Sequence, residues 1–198
     1  IIISVLTLIT IFLWLKESNT EDRRGTPQKR NSVLQNLFIL RRIRAINPKP
    51  IIRLLFVMKL FFSTMMAFYI GTIALFMIDL FSFNEKELGL FMFVVGIFLA
   101  FNQAFLAKRF IRKFGEFPTL LIGLGLSVVG LFSITLTSNL FLYIAFYYVM
   151  NLGLSLSFPT FNALIAIHAD PKKQGEIMGI SESINSFAMA SFPVIAAA

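Results

Sequence analysis

The sequence predicts an all-α integral membrane protein. Three observations predict it: apolar residues make up 57% of the chain and charged residues only 14%, mean hydropathy is strongly positive, and the apolar residues gather into continuous runs separated by short polar or basic stretches. A water-soluble core cannot absorb that much apolar surface. The runs lack the alternation of barrel strands, which excludes a β-barrel. Cysteine is absent, so there is neither a disulfide framework nor a thiolate metal site. The net charge of +8 comes from Lys and Arg lying between apolar runs, without a continuous basic face interleaved with aromatics. That is a basic membrane flank facing a lipid bilayer, with no nucleic-acid partner.

The first run, residues 1–15, begins at Ile1 and lacks the basic leader and small-residue cleavage site of a signal peptide. It is expected to be the end of a truncated transmembrane span. Residues 16–50 form a basic linker containing Arg23, Arg24, Lys29, Arg30, Arg41, Arg42, Arg44 and Lys49. Within it, residues 32–46 place Val33, Leu34, Leu37, Phe38, Leu40 and Ile43 at helical spacing opposite the arginines, the pattern of an interfacial helix. Asn47 and Pro48 stop that helix. Residues 51–198 form the transmembrane bundle.

A helix needs about 20 apolar residues to cross the hydrocarbon layer. Residues 54–78, 88–107, 119–136 and 141–166 meet that requirement, and residues 177–198 start a further span that is expected to be cut short. With the N-terminal stub, the spans number about six. Asn84 followed by Glu87 is a capping pair for the second full span, and Asp170-Pro171 is expected to open the last helix. Cytoplasmic loops retain positive charge during insertion. The linker 16–50, the loop 108–116 with Lys108, Arg109, Arg112 and Lys113, and the loop 168–176 with Lys172 and Lys173 therefore fall on the cytoplasmic side of the plasma (inner) membrane. The loops 79–87 and 137–139 face outward.

The last helix aligns Gly175, Gly179, Ser183, Ser186 and Ala190 on one stripe, the small-residue surface that lets membrane helices pack closely or slide. Glu182 lies beside it. An ionisable group inside a span costs at least about 2.5 kcal/mol on insertion scales. Such a carboxyl is either a proton or substrate site or a hydrogen-bonded structural acid. Lys59 heads a second stripe with Ser63, Ala67 and Gly71. The uncharged run after it is long enough to cross, so the simpler reading has Lys59 snorkelling to the inner interface. Gln103, Asn151, Asn162 and Asn185 are neutral amides in apolar helices, able to bind a solute or a neighbouring helix. His168 is the one histidine, in a loop beside Asp170 and without metal-ligand spacing, and reads as a solvated loop residue. Tyr143, Tyr147 and Tyr148 could line a pore, but near a span end they read first as interfacial anchors. No catalytic, cofactor-binding or metal-binding constellation emerges.

Pro159, Asn162, Asp170, Gln174-Gly175, Gly179, Ser186 and Pro193, in that order and spacing, resemble the tenth and eleventh spans of the tetracycline and multidrug efflux branch of the major facilitator superfamily. Gly89, Gly96 and Gln103-Ala104 are similar to its eighth span, Phe114-Gly115-Glu116 with residues 120–123 to the following inner loop and ninth span, and Asn47-Pro48 to the entry of the seventh. The resemblance implies the C-terminal six-helix half of a twelve-span fold, truncated at both ends, whose missing N-terminal half completes an alternating-access carrier. Gly115, Arg109 and Arg112 then belong to a gating loop, and Gln103 and Asn162 to the cavity. Three positions depart from the pattern. The loop 108–115 lacks the leading Gly and Asp of the family signature, Leu99 stands where tetracycline exporters tend to carry His, and Phe192 replaces the Gly favoured before Pro193.

The resemblance implies a proton-driven antiporter that exports small amphipathic molecules or drugs, needing no cofactor beyond the ion gradient. An importer of a metabolite or sugar with the same fold is the nearest alternative. A non-transporting receptor or assembly subunit is another. A membrane-embedded enzyme is disfavoured, because the spans carry no paired catalytic groups and no Walker-type loop.

Overall fold

The computed structural model describes residues 48–196, with Ile43 and Ile46 before them and with side chains as far as Ser191. The expectations for residues 1–15, for the linker and its interfacial helix, for Asn47 and for the side chain of Pro193 lie outside the described residues.

Among the described residues, five helices follow one another across short connections. α1 is Pro50–Phe81, α2 Glu85–Phe114, α3 Glu116–Thr135, α4 Leu140–His168 and α5 Gln174–Ala196. Among the described residues, four of them, α1 to α4, are long and apolar enough to cross a membrane. α5 is less apolar than these and carries Glu176 and Glu182. Each helix begins where the chain supplies a start signal. Pro50 occupies the first turn of α1, where its missing N–H costs nothing. Asn84 accepts from the Lys86 and Glu87 amides while Glu87 accepts from the Asn84 amide, the capping box expected for α2. Asn139 caps α4 through the amides of Phe141 and Leu142.

Two connections differ from expectation. Residues 108–116 are not a loop: α2 runs on through Phe114, and Gly115 alone joins it to α3, at a φ of 82° that favours glycine. The reason is local, since nothing between Gln103 and Phe114 breaks a helix and Lys and Arg are good helix formers. Asp170-Pro171 does not open α5. It forms a turn one step earlier, in which the Asp170 carboxylate accepts from the Lys172 amide, and the helix starts at Gln174. His168 is accordingly the last residue of α4, with Nδ1 2.9 Å from the Leu164 carbonyl, and not a loop residue.

α2 contains a six-residue π-helical segment, Asn102–Ala107, that packs against α4. The widened turn buries Asn102 completely, and neither atom of its amide has a partner. The most extensive helix contact is between α3 and α4. It depends on small residues: a Cβ at Gly130 would lie 2.5 Å from the Met150 nitrogen, one at Gly123 2.5 Å from Ser157 Oγ, and one at Gly153 would collide with the Ser127 backbone. Close approach of this kind is what small residues permit between membrane helices. α1 packs mainly on α5.

The stripe expected to do such packing, on α5, behaves differently. Gly175, Gly179 and Ser186 are exposed, and a Cβ at Gly175 or Gly179 would meet no heavy atom within 4 Å. α5 instead turns Ile177, Ile180, Ser181, Ile184 and Ala188 inward. Isoleucine bulk fills the groove against α1, so the small residues face away from the described core. The tyrosines also depart from the anchor reading. Tyr143 and Tyr147 are buried: Tyr143 stacks on Phe76 and meets Phe81 edge-on, and Tyr147 meets Phe91 edge-on and Tyr69 at a tilt, tying α1, α2 and α4 together, while Tyr148 stays exposed.

Candidate functional site

The tenth residue of α1 is Lys59, nearly three turns from the helix start. Its side chain is 3% exposed, so it does not snorkel to an interface as the sequence suggested. The cause is the helix phase: Lys59 shares a face with Leu55, Phe56, Phe62, Ser63 and Ala67, all buried, so the side chain enters the bundle.

Inside, the ammonium group uses all three of its protons. It donates to Ser181 Oγ at 2.7 Å, to Glu182 Oε1 at 2.9 Å and to Asn162 Oδ1 at 3.1 Å. Three helices therefore meet at one cation. Asn162 comes from the late part of α4, just beyond Pro159, whose ring leaves the Ser155 carbonyl without its usual helical donor. Ser181 and Glu182 come from the early part of α5. At 1.5 Å per residue, all three helices place these groups roughly 9–14 Å from the end of the bundle that carries Gly115 and Asp170.

The pair is asymmetric. Lys59 is sealed, whereas the Glu182 side chain is 52% exposed and sits beside the open Gly175/Gly179 face. A buried cation must be paired and hydrogen-bonded to persist. Lys59 meets that condition through one carboxylate and two neutral oxygens. Among the described residues it forms no other ion pair.

Of the residues singled out from the sequence, the structure thus brings together Lys59, Asn162 and Glu182. Among the described residues no hydrogen bond joins Gln103, Asn151 or Asn185 to this cluster. Gln103 is half-buried in the π-helical segment, Asn151 is buried with its Oδ1 unpartnered, and Asn185 is half-buried on α5. Arg109 and Arg112 are exposed on the helical extension of α2, and Ser183 donates to the Gly179 carbonyl of its own helix. Ser181 and Asn102 were not anticipated. Ser181 carried a usable signal: it is the one hydroxyl within the apolar stripe of Ile177, Ile180 and Ile184, where a polar group needs a partner. Asn102 carried less, since burying it rather than its neighbour Gln103 depends on the π-helical turn.

No group of three or more potential metal ligands occurs among the described residues. A search of curated proteins matches none of them, and a search of solved structures likewise matches none. A family model described as Major Facilitator Superfamily matches residues 1–193. That match covers nearly the whole chain and agrees with a bundle of long apolar helices enclosing an ion pair, so the chain belongs to the major facilitator superfamily, a family of secondary transporters.

Proposed function

We propose that the protein moves a small molecule across the membrane by proton-coupled alternating access, with Glu182 as the group that takes up and releases the proton and Lys59 as its counter-charge. The observation that carries this reading is the ion pair itself. A carboxylate open on one side is held by an ammonium that is sealed on every other side. Ionisable groups inside a span are functional by default, because their insertion is unfavourable. A pair that joins α1 to α5 also ties the proton's presence to how two helices sit against each other.

The cargo in this reading is a small amphipathic molecule or drug. The resemblance to the tetracycline and multidrug efflux branch supports export by antiport, in the plasma (inner) membrane, with residues 16–50, 108–116 and 168–176 on the cytoplasmic side. A second reading, proton-coupled uptake of a metabolite, is favoured by one observation: the fixed positive charge of Lys59 beside Glu182.

The test is flux in vesicles of the full-length protein, with and without an imposed pH gradient, for the wild type and Glu182→Gln. Glutamine keeps an oxygen for Lys59 to donate to but cannot ionise. The substitution is expected to leave downhill flux and abolish its response to the gradient. An unchanged response removes Glu182 from the mechanism.

A further inference from the structure

We infer that the Lys59 ammonium is a docking point for an anionic group on the transported molecule, such as a carboxylate or sulfonate on an amphipathic body, taken up when a proton neutralises Glu182. The inference rests on the proton-coupled reading above, in its uptake form and not as antiport, and names the substrate class of that same site.

Access and charge both lead to it. Of the three groups that hold the ammonium, Ser181 is fully buried and Asn162 is half-buried. Glu182, half exposed, is the one that stands between Lys59 and the open face of α5. That face is low. Gly175 and Gly179 have no heavy atom within 4 Å of a Cβ position, and the Ser183 hydroxyl is occupied by its own helix backbone. A swing of the Glu182 side chain therefore frees one of the ammonium's three protons on the side of that face, without moving a helix.

Among the described residues, the groups facing Lys59 are neutral except for Glu182. α4 presents the Asn162 amide, α5 presents Ser181 and Glu182, and the neighbours on α1 are Leu55, Phe56, Phe62 and Ser63. With Glu182 ionised and no cargo, the site carries one positive and one negative charge and sums to zero. With Glu182 protonated and an anion on Lys59, it again sums to zero. A cation would leave a second positive charge beside a buried ammonium, and an anion without the proton would leave a net negative charge. Both unbalanced states are penalised in a low-dielectric site. The proton from solvent and the anion therefore enter together and leave together, so both travel in the same direction. No bond other than the O–H bond of Glu182 forms or breaks.

The experiment uses the full-length protein in detergent and three fluorescent probes of one body: naphthalenesulfonate, whose charge does not vary with pH, neutral naphthamide, and naphthylmethylammonium. Wild-type affinity for the sulfonate is expected to rise as pH falls. Glu182→Gln should bind it roughly tenfold more tightly than wild type at neutral pH and lose the pH dependence, the size expected of one charge-assisted contact. Lys59→Arg should keep sulfonate binding and Lys59→Gln should lose it. The amide and the ammonium probes should gain nothing from Glu182→Gln. Equal sulfonate affinity in wild type and Glu182→Gln overturns the inference, as does a gain shared by the ammonium probe. If Lys59→Gln does not fold, the Glu182→Gln comparison decides alone. Loss of proton-driven flux in Glu182→Gln without a sulfonate gain removes the anion site and leaves the coupling reading standing. A sulfonate gain in a protein whose flux ignores the pH gradient does the reverse.

Discussion

Lys59 and Glu182 are two ends of one ion pair, 2.9 Å apart, yet one end is 3% exposed and the other 52%. The consequence is that the two residues are not equivalent when removed. Losing the lysine frees a carboxylate that already touches the outside of the bundle. Losing the glutamate leaves a cation enclosed with two neutral oxygens.

Glu182→Ala is therefore expected to destabilise the protein by about 2 kcal/mol more than Lys59→Met, because an enclosed charge keeps its desolvation cost when its partner goes. The double substitution should recover most of the loss. Thermal unfolding in detergent measures all three, and equal costs for the two single changes would contradict the asymmetry.

The contact of α3 with α4 tolerates no added volume at its closest points. Gly130→Ala and Gly153→Ala each drive a methyl group into the facing backbone, and each should cost about 1–3 kcal/mol. Gly125, in α3 with open space around it, is the control. Gly125→Ala should be neutral or stabilising by up to about 1 kcal/mol, since glycine is a poor helix former. The same unfolding assay reads the difference.

Asn102 is fully buried with both amide atoms unpartnered. Replacing it with leucine removes an unsatisfied polar group and should raise stability by about 1 kcal/mol. A drop in stability of that size would mean that the amide finds a partner in the folded protein.

The α2 capping box fixes the start of a helix that is otherwise apolar. Asn84→Ala should cost about 1 kcal/mol. Hydrogen exchange at the Lys86 and Glu87 amides, which lose their acceptor, should accelerate while exchange deeper in α2 stays unchanged.

The helices were legible in the chain because crossing a membrane is a property of consecutive residues. A run of apolar residues long enough to span, bounded by Pro50, by Asn84 with Glu87 or by the stretch 137–139, specifies a helix and its ends without reference to anything distant. Polarity alone does not mark a helix boundary. Lys108, Arg109, Arg112 and Lys113 are polar and still helical, and only Gly115 interrupts the chain there. The small-residue stripe of α5 was found, but its partner could not be, because periodicity identifies a face and not what lies against it. The functional pairing lies furthest from sequence reasoning. In the sequence, Asn162 and Glu182 are candidates only singly, and Lys59 lies at the edge of its apolar run. Their meeting depends on α1 and α5 packing in one rotational phase, across 123 residues of chain. The sequence by itself thus determined the class, the order of the spans and the presence of ionisable groups within them, since each follows from local hydropathy. Which charge those groups neutralise, and which end of the pair stays open, was decided by tertiary packing alone, because ion pairing acts through space between residues that the chain keeps far apart.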